Sequence, residues 1–104
     1  SFTDIISKAK QMQEKMKEVQ QNLKKIEVTV KSGGDLVKVT LTGDYELKSI
    51  TISEEAKKED QEIVNDLIVA AYNNAKENLK KKSAEELSKV TGGLNLPADF
   101  KLPF

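Results

Sequence analysis

A chain of 104 residues with 17 lysines, no arginine and 17 acidic residues carries no formal net charge, and 38% hydrophobic with 5% aromatic content is material for one small domain. It contains no Cys, His or Trp, which removes zinc fingers, thiol nucleophiles, imidazole bases and disulfide frameworks. Without Arg there is no bidentate fork to read a guanine edge or clamp a phosphate or carboxylate substrate.

The opening Ser1-Phe2-Thr3-Asp4 lacks a basic region followed by an apolar one. The longest apolar run, Leu67 to Tyr72, is six residues, far short of the roughly 20 that a membrane span needs. The expectation is an intracellular soluble domain with no catalytic residues, no cofactor and no metal.

From Thr3 to about Ile26 the apolar residues fall at Ile5, Ala9, Met12, Met16, Val19, Leu23 and Ile26. Their steps alternate four and three without a break, a heptad repeat sustained over the whole segment. The residues between them are mostly Lys, Glu and Gln, strong helix formers with long polar stems. Thr3 and Asp4 read as N-cap and first-turn acid. Such a helix either lies on its own sheet or forms a seam against a second helix, from this chain or another.

Three strands come next. Glu27 to Lys31 alternates, with Val28 and Val30 on one face, and Ser32-Gly33-Gly34-Asp35 is a hairpin turn in which Gly-Gly supplies positive φ. Leu36 to Thr42 puts Val37, Val39 and Leu41 on one face. A turn at Gly43-Asp44 leads into Leu47 to Ile52, where Ile50 and Ile52 continue the apolar face. Gly-Gly here lacks the GK[ST] ending and strand-to-helix setting of a phosphate loop. A sheet this small needs a helix on its apolar face.

Ser53-Glu54-Glu55-Ala56 reads as a short capped turn and Asp60 as the N-cap of a second helix running from Gln61 to Thr91, where Gly92-Gly93 stops it. Six acids crowd its beginning (Glu54, Glu55, Glu59, Asp60, Glu62 and Asp66). A carboxylate cluster can hold a divalent cation, but acids at a helix start complement its dipole, and that explanation is preferred. At 1.5 Å per residue this helix is roughly 45 Å long, against a radius of gyration of about 13 Å for a compact chain of this size. Its lysine-rich end therefore projects, and covering the seam of the first helix calls for a homodimer. Residues 94–104, with Pro97 and Pro103 among alternating apolar residues, read as an extended tail beyond a single domain of residues 1–93.

The stretch Gln11-Met12-Gln13-Glu14-Lys15-Met16, the hairpin Ser32-Gly33-Gly34 with Leu36-Val37-Lys38-Val39-Thr40, residues Glu62 to Asn74, and the ending Gly93-Leu94-Asn95-Leu96-Pro97-Ala98-Asp99-Phe100-Lys101-Leu102-Pro103-Phe104 together resemble the YbaB/EbfC family of bacterial nucleoid-associated proteins. The resemblance covers nearly the whole chain in order; its basic positions on the second helix are all Lys here. It implies an α+β fold of order α-β-β-β-α, with a three-stranded antiparallel meander between two long helices in a tweezer-like homodimer. It also implies binding of duplex DNA with little sequence specificity, a role in organising the nucleoid or regulating gene expression, and a place in the bacterial cytoplasm on the nucleoid.

Charge is unevenly distributed. Residues 1–31 carry 7 Lys and 4 acids, residues 54–75 carry 2 Lys and 6 acids, and residues 76–104 carry 6 Lys and 4 acids. Local basic surface is what sequence-independent phosphate contact requires, so the candidate DNA-contacting residues are Lys8, Lys10, Lys15, Lys17, Lys24, Lys25, Lys80, Lys81 and Lys82. The alternative is a coiled-coil dimeric protein-interaction module without direct DNA binding, whose grooves hold a protein partner through the acidic surface and the tail.

Overall fold

The computed structural model describes residues 1–91; the expected tail at 94–104 lies outside the described residues. The order is α1 (Phe2–Leu23), β1 (Glu27–Ser32), β2 (Val37–Thr42), β3 (Leu47–Ile52), a 3-10 turn at Ala56–Lys58 and α2 (Gln61–Thr91). The strands form one antiparallel sheet in the order β1-β2-β3, so the meander between two long helices is as expected.

The N-cap of α1 is Ser1, whose hydroxyl accepts from the Asp4 amide at 3.3 Å; the cap thus stands two residues before the expected Thr3, because a hydroxyl three residues ahead of a free amide satisfies it best. It ends at Leu23, short of Ile26, because the Ile26 amide donates to the Leu23 carbonyl in a tight turn, and the Ile26 carbonyl in turn accepts from Gly43 at 2.9 Å. That bond delivers the chain into the sheet.

The core lies between the sheet and α2. Val28 from β1 and Val37, Val39 and Leu41 from β2 are buried against Val64, Ala71, Ala75 and Leu79 of α2. Alanines at the contact let the helix sit close. The hydroxyl of Ser32 donates to the Leu67 carbonyl at 2.6 Å, pinning the β1–β2 hairpin to α2. Gly33 in that hairpin has φ +62, and a Cβ there would stand 2.8 Å from the Leu67 side chain. Close packing and backbone handedness both require glycine at this point.

β3 contains one more residue than its partner needs: Thr40 pairs with Ser49 and Leu41 with Leu47, so Lys48 forms a bulge. The bulge keeps Leu47 on the same face as Ile50 and Ile52. That face is apolar as expected, yet α2 lies over β1 and β2, and Leu47 and Ile50 stay exposed.

α1 does not lie on the sheet. It packs along the distal part of α2, giving an elongated molecule of 68 × 23 × 17 Å with a radius of gyration of 18.6 Å. Burial on α1 is graded: Val19 and Leu23 are buried, Met12 and Met16 half-buried, and residues 1–11 exposed. The heptad seam is therefore met by a second helix of the same chain at one end only. Ser83 is buried on α2 with a hydroxyl that has no hydrogen-bond partner among the described residues. An unsatisfied buried donor costs about 1 kcal/mol or more, and Ala is the better helix former. Ser83→Ala is expected to raise stability by about 1 kcal/mol, read as a higher urea midpoint at unchanged slope.

Candidate nucleic-acid interface

α2 crosses the sheet from one end to the other. It begins beside Ile52 and Ala56, passes the β1–β2 hairpin at Leu67, and reaches the start of β1 at residues 78–85. Beyond that it leaves the sheet and runs with α1, which is attached at the same end. The acids of residues 54–66 are thus placed at one end of the long axis and the two helical arms at the other.

The lysines expected to contact DNA all lie on the arms or at their base. Lys8, Lys10, Lys15 and Lys17 are on α1, Lys24 and Lys25 in the turn after it, and Lys80, Lys81 and Lys82 where α2 departs from the sheet. They do not form one face. At 3.6 residues per turn, Lys10 and Lys17 fall opposite Val19, while Lys8 and Lys15 fall on its side; Lys15 is half-buried where α1 runs with α2, and Lys8 is exposed. Lys80 pairs with Glu77 at 3.2 Å. Among the described residues, no carboxylate stands within ion-pair distance of the other eight.

Lys81 and Lys82 line a groove of about 360 Å³ with Glu27, Val28, Thr29, Asn78 and Glu85. Here the edge of β1 meets the side of α2. Asn78 is absent from the residues expected on sequence grounds, although its spacing of three and four from Lys81 and Lys82 puts all three on neighbouring helix positions. The two acids temper the groove; Glu27 is paired with Lys48 across the sheet. An anion entering it would meet two ammonium groups and an amide donor, enough to hold a backbone phosphate without reading a base.

The seam of α1 divides. Val19 and Leu23 are internal, Ile26 is half-buried beside the sheet core, Met12 and Met16 are partly covered, and Ile5 and Ala9 are exposed. The acidic region shows no chelating geometry: Glu54 pairs with Lys57 at 2.8 Å, and among the described residues no group of three His, Cys, Asp or Glu could hold a metal ion. No helix of the described residues is long and apolar enough to cross a membrane.

Known proteins share both the sequence and the fold. The nucleoid-associated protein amb4104 of Paramagnetospirillum magneticum is 52% identical over 102 residues, covering 97% of this chain and 95% of that protein. The crystal structure of the uncharacterized protein HP0035 from Helicobacter pylori superposes with a TM-score of 0.77 over 88% of this chain and 98% of that one, at 21% identity; at that distance the match speaks for the fold. Residues 1–94, from the first turn of α1 to just past the end of α2, match the sequence profile of the YbaB/EbfC DNA-binding family, and with two long arms set on a helix-backed meander the chain belongs to that family.

Proposed function

We propose that this protein is a nucleoid-associated homodimer that holds duplex DNA through lysine–phosphate contacts with little sequence preference, in the bacterial cytoplasm on the nucleoid. The observation that carries this reading is the segregation of charge. Residues 1–31 carry three more lysines than acids, while residues 54–75 carry four more acids than lysines, and the fold puts these groups at opposite ends. A neutral chain thereby offers a basic arm to a polyanion. Lysine point charges position a protein on the phosphate backbone but carry no sequence information.

The dimer has a surface suited to it. Leu47 and Ile50 on β3 are exposed on the helix side of the sheet. With Leu67 at Gly33, the helical period turns Ile68, Val69 and Tyr72 of α2 towards that uncovered flank. An apolar strip on an edge strand and an adjoining helix is where a second copy gains most by docking. The seam of α1 contributes chiefly within the chain.

Sedimentation at micromolar concentration is expected to give about twice 11.6 kDa, and Ile50→Lys to shift the protein towards monomer with its helical signal intact. A folded monomer for the unaltered chain would overturn the dimer. Filter binding to unrelated duplexes at two salt concentrations tests the DNA reading. Equal affinities that fall together with salt are expected, and no binding at low salt would leave a protein-interaction module as the better account.

A further inference from the structure

The groove beside β1 is lined by charges of both signs, and a DNA backbone has use for only one of them. Asn78, Lys81, Lys82 and Glu85 share one flank of α2 and line the groove together with Glu27 and Thr29 of β1. The two strand residues are already engaged. Glu27 is ion-paired with Lys48, and the Thr29 hydroxyl shares a hydrogen bond of 2.8 Å with that of Thr40. The four helix residues are free to meet a ligand. Among the described residues Lys81, Lys82 and Glu85 have no ion-pair partner, and the side-chain amide of Asn78 makes no hydrogen bond.

Lys81 and Lys82 present donors to a phosphate, a role that leaves Glu85 unexplained. A carboxylate repels a phosphate, yet it accepts from a hydroxyl in a charge-assisted bond about twice as strong as a neutral one. Glu85 stands four and three residues beyond the two lysines, about one turn or 5 Å along the axis. That is the reach from a backbone phosphate to a hydroxyl on an adjoining sugar. Within a strand, deoxyribose has no hydroxyl to give. Ribose has its 2′-OH, the group by which a protein tells RNA from DNA. The Asn78 amide both donates and accepts, so it serves phosphate and hydroxyl alike. No aromatic ring lines the groove among the described residues, so it offers an unpaired base no stacking platform. What it fits is backbone, which a duplex displays along its whole length.

We propose that the groove between β1 and α2 holds the ribose–phosphate backbone of an RNA duplex, with Lys81 and Lys82 on a phosphate and Glu85 accepting from a 2′-hydroxyl. The proposal rests on these lysines being phosphate contacts and adds a preference for RNA over DNA at this one groove. Three duplexes of one sequence test it by filter binding to the full chain: DNA, RNA, and RNA with 2′-fluoro sugars, which stays A-form but has no hydroxyl to donate. RNA is expected to bind about tenfold tighter than DNA, of the order that one hydrogen bond to a charged group contributes, and the 2′-fluoro duplex to bind like DNA. Glu85→Ala, at an exposed position, is expected to strengthen DNA binding slightly and to bring the RNA-to-DNA ratio close to one. Lys81→Ala with Lys82→Ala is expected to weaken both nucleic acids, and RNA the more, since the sugar contact goes with the phosphate contact. Equal affinity of the unaltered chain for RNA and DNA would overturn the proposal and leave the phosphate contacts standing. A 2′-fluoro duplex bound as tightly as RNA, or a ratio that survives Glu85→Ala, would overturn it too. If no duplex bound at low salt, the phosphate contacts would fall and the proposal with them.

Discussion

Reversing Lys80, Lys81 and Lys82 to glutamate is expected to weaken binding to every duplex by a common factor, on the order of a hundredfold at low salt, since each phosphate contact adds about 0.9 to the slope of log affinity against log salt. The three side chains fan around α2 where it leaves the sheet, and two of them line the groove beside β1. Of the three, Lys80 is already engaged with Glu77, so Lys81 and Lys82 carry most of the effect. The salt dependence should flatten by about one unit for every lysine–phosphate pair removed from a protomer. Filter binding over a salt series measures both quantities. An unchanged affinity would exclude this part of the arm as the DNA surface, and a loss confined to one sequence would contradict phosphate-based binding. The matching reversal at the other end, Glu54 and Glu55 to Lys, is expected to strengthen binding only slightly, because those side chains lie far along the molecule from the arms.

Gly43→Ala is expected to be the most destabilising single methyl addition in the molecule. A Cβ at Gly43 would fall on the backbone carbonyl of Leu23, and backbone cannot move aside as a flexible side chain can. The close approach is maintained by the Gly43 amide donating to Ile26 at 2.9 Å, so the methyl would break that bond and lever α1 off the end of the sheet. Overpacking of this kind costs about 3 kcal/mol or more, which lowers the melting temperature by roughly 10–20 °C in a domain of this size. The informative control is Gly34→Ala. Gly34 has φ +70 but open space around it, so only backbone strain of about 1 kcal/mol is incurred. If the control were the more damaging of the two, the close approach of α1 to the sheet would be wrong.

That contrast shows what could be read along the chain and what could not. The alternation of Val28, Val30, Val37, Val39 and Leu41, the heptad spacing on α1 and the acids before Gln61 are local patterns, and the elements they mark follow in the expected order, with α1 differing at both ends. Gly-Gly at 33–34 carries positive φ in its hairpin, again a local matter. Gly43 misleads: the positive φ of its turn falls on Tyr45, and the glycine is there for a helix end twenty residues back in sequence. The Lys48 bulge, which brings Leu47 to the apolar face, depends on strand pairing that no periodicity reveals. For the lysines, the sequence reveals their number and segment. The side of α1 that each occupies became informative only once α2 was known to lie along Val19 and Leu23, and Asn78 joined the groove only because β1 begins there.

The separation of charge along a 68 Å axis makes this neutral protein a large electric dipole. Near a polyanion the field turns the molecule before it touches, arms leading, so encounters are oriented and not random. How much of the molecule takes part depends on the ionic atmosphere. For a duplex held by the arms as proposed, the repelling acidic end is felt at 0.01 M salt, where the Debye length is about 30 Å, and is screened at 0.15 M, where it is about 8 Å. Modest salt thus relieves a repulsion while weakening an attraction. The association rate of this protein should therefore fall less steeply with salt between those limits than that of a compact protein carrying the same lysines without the distant acids.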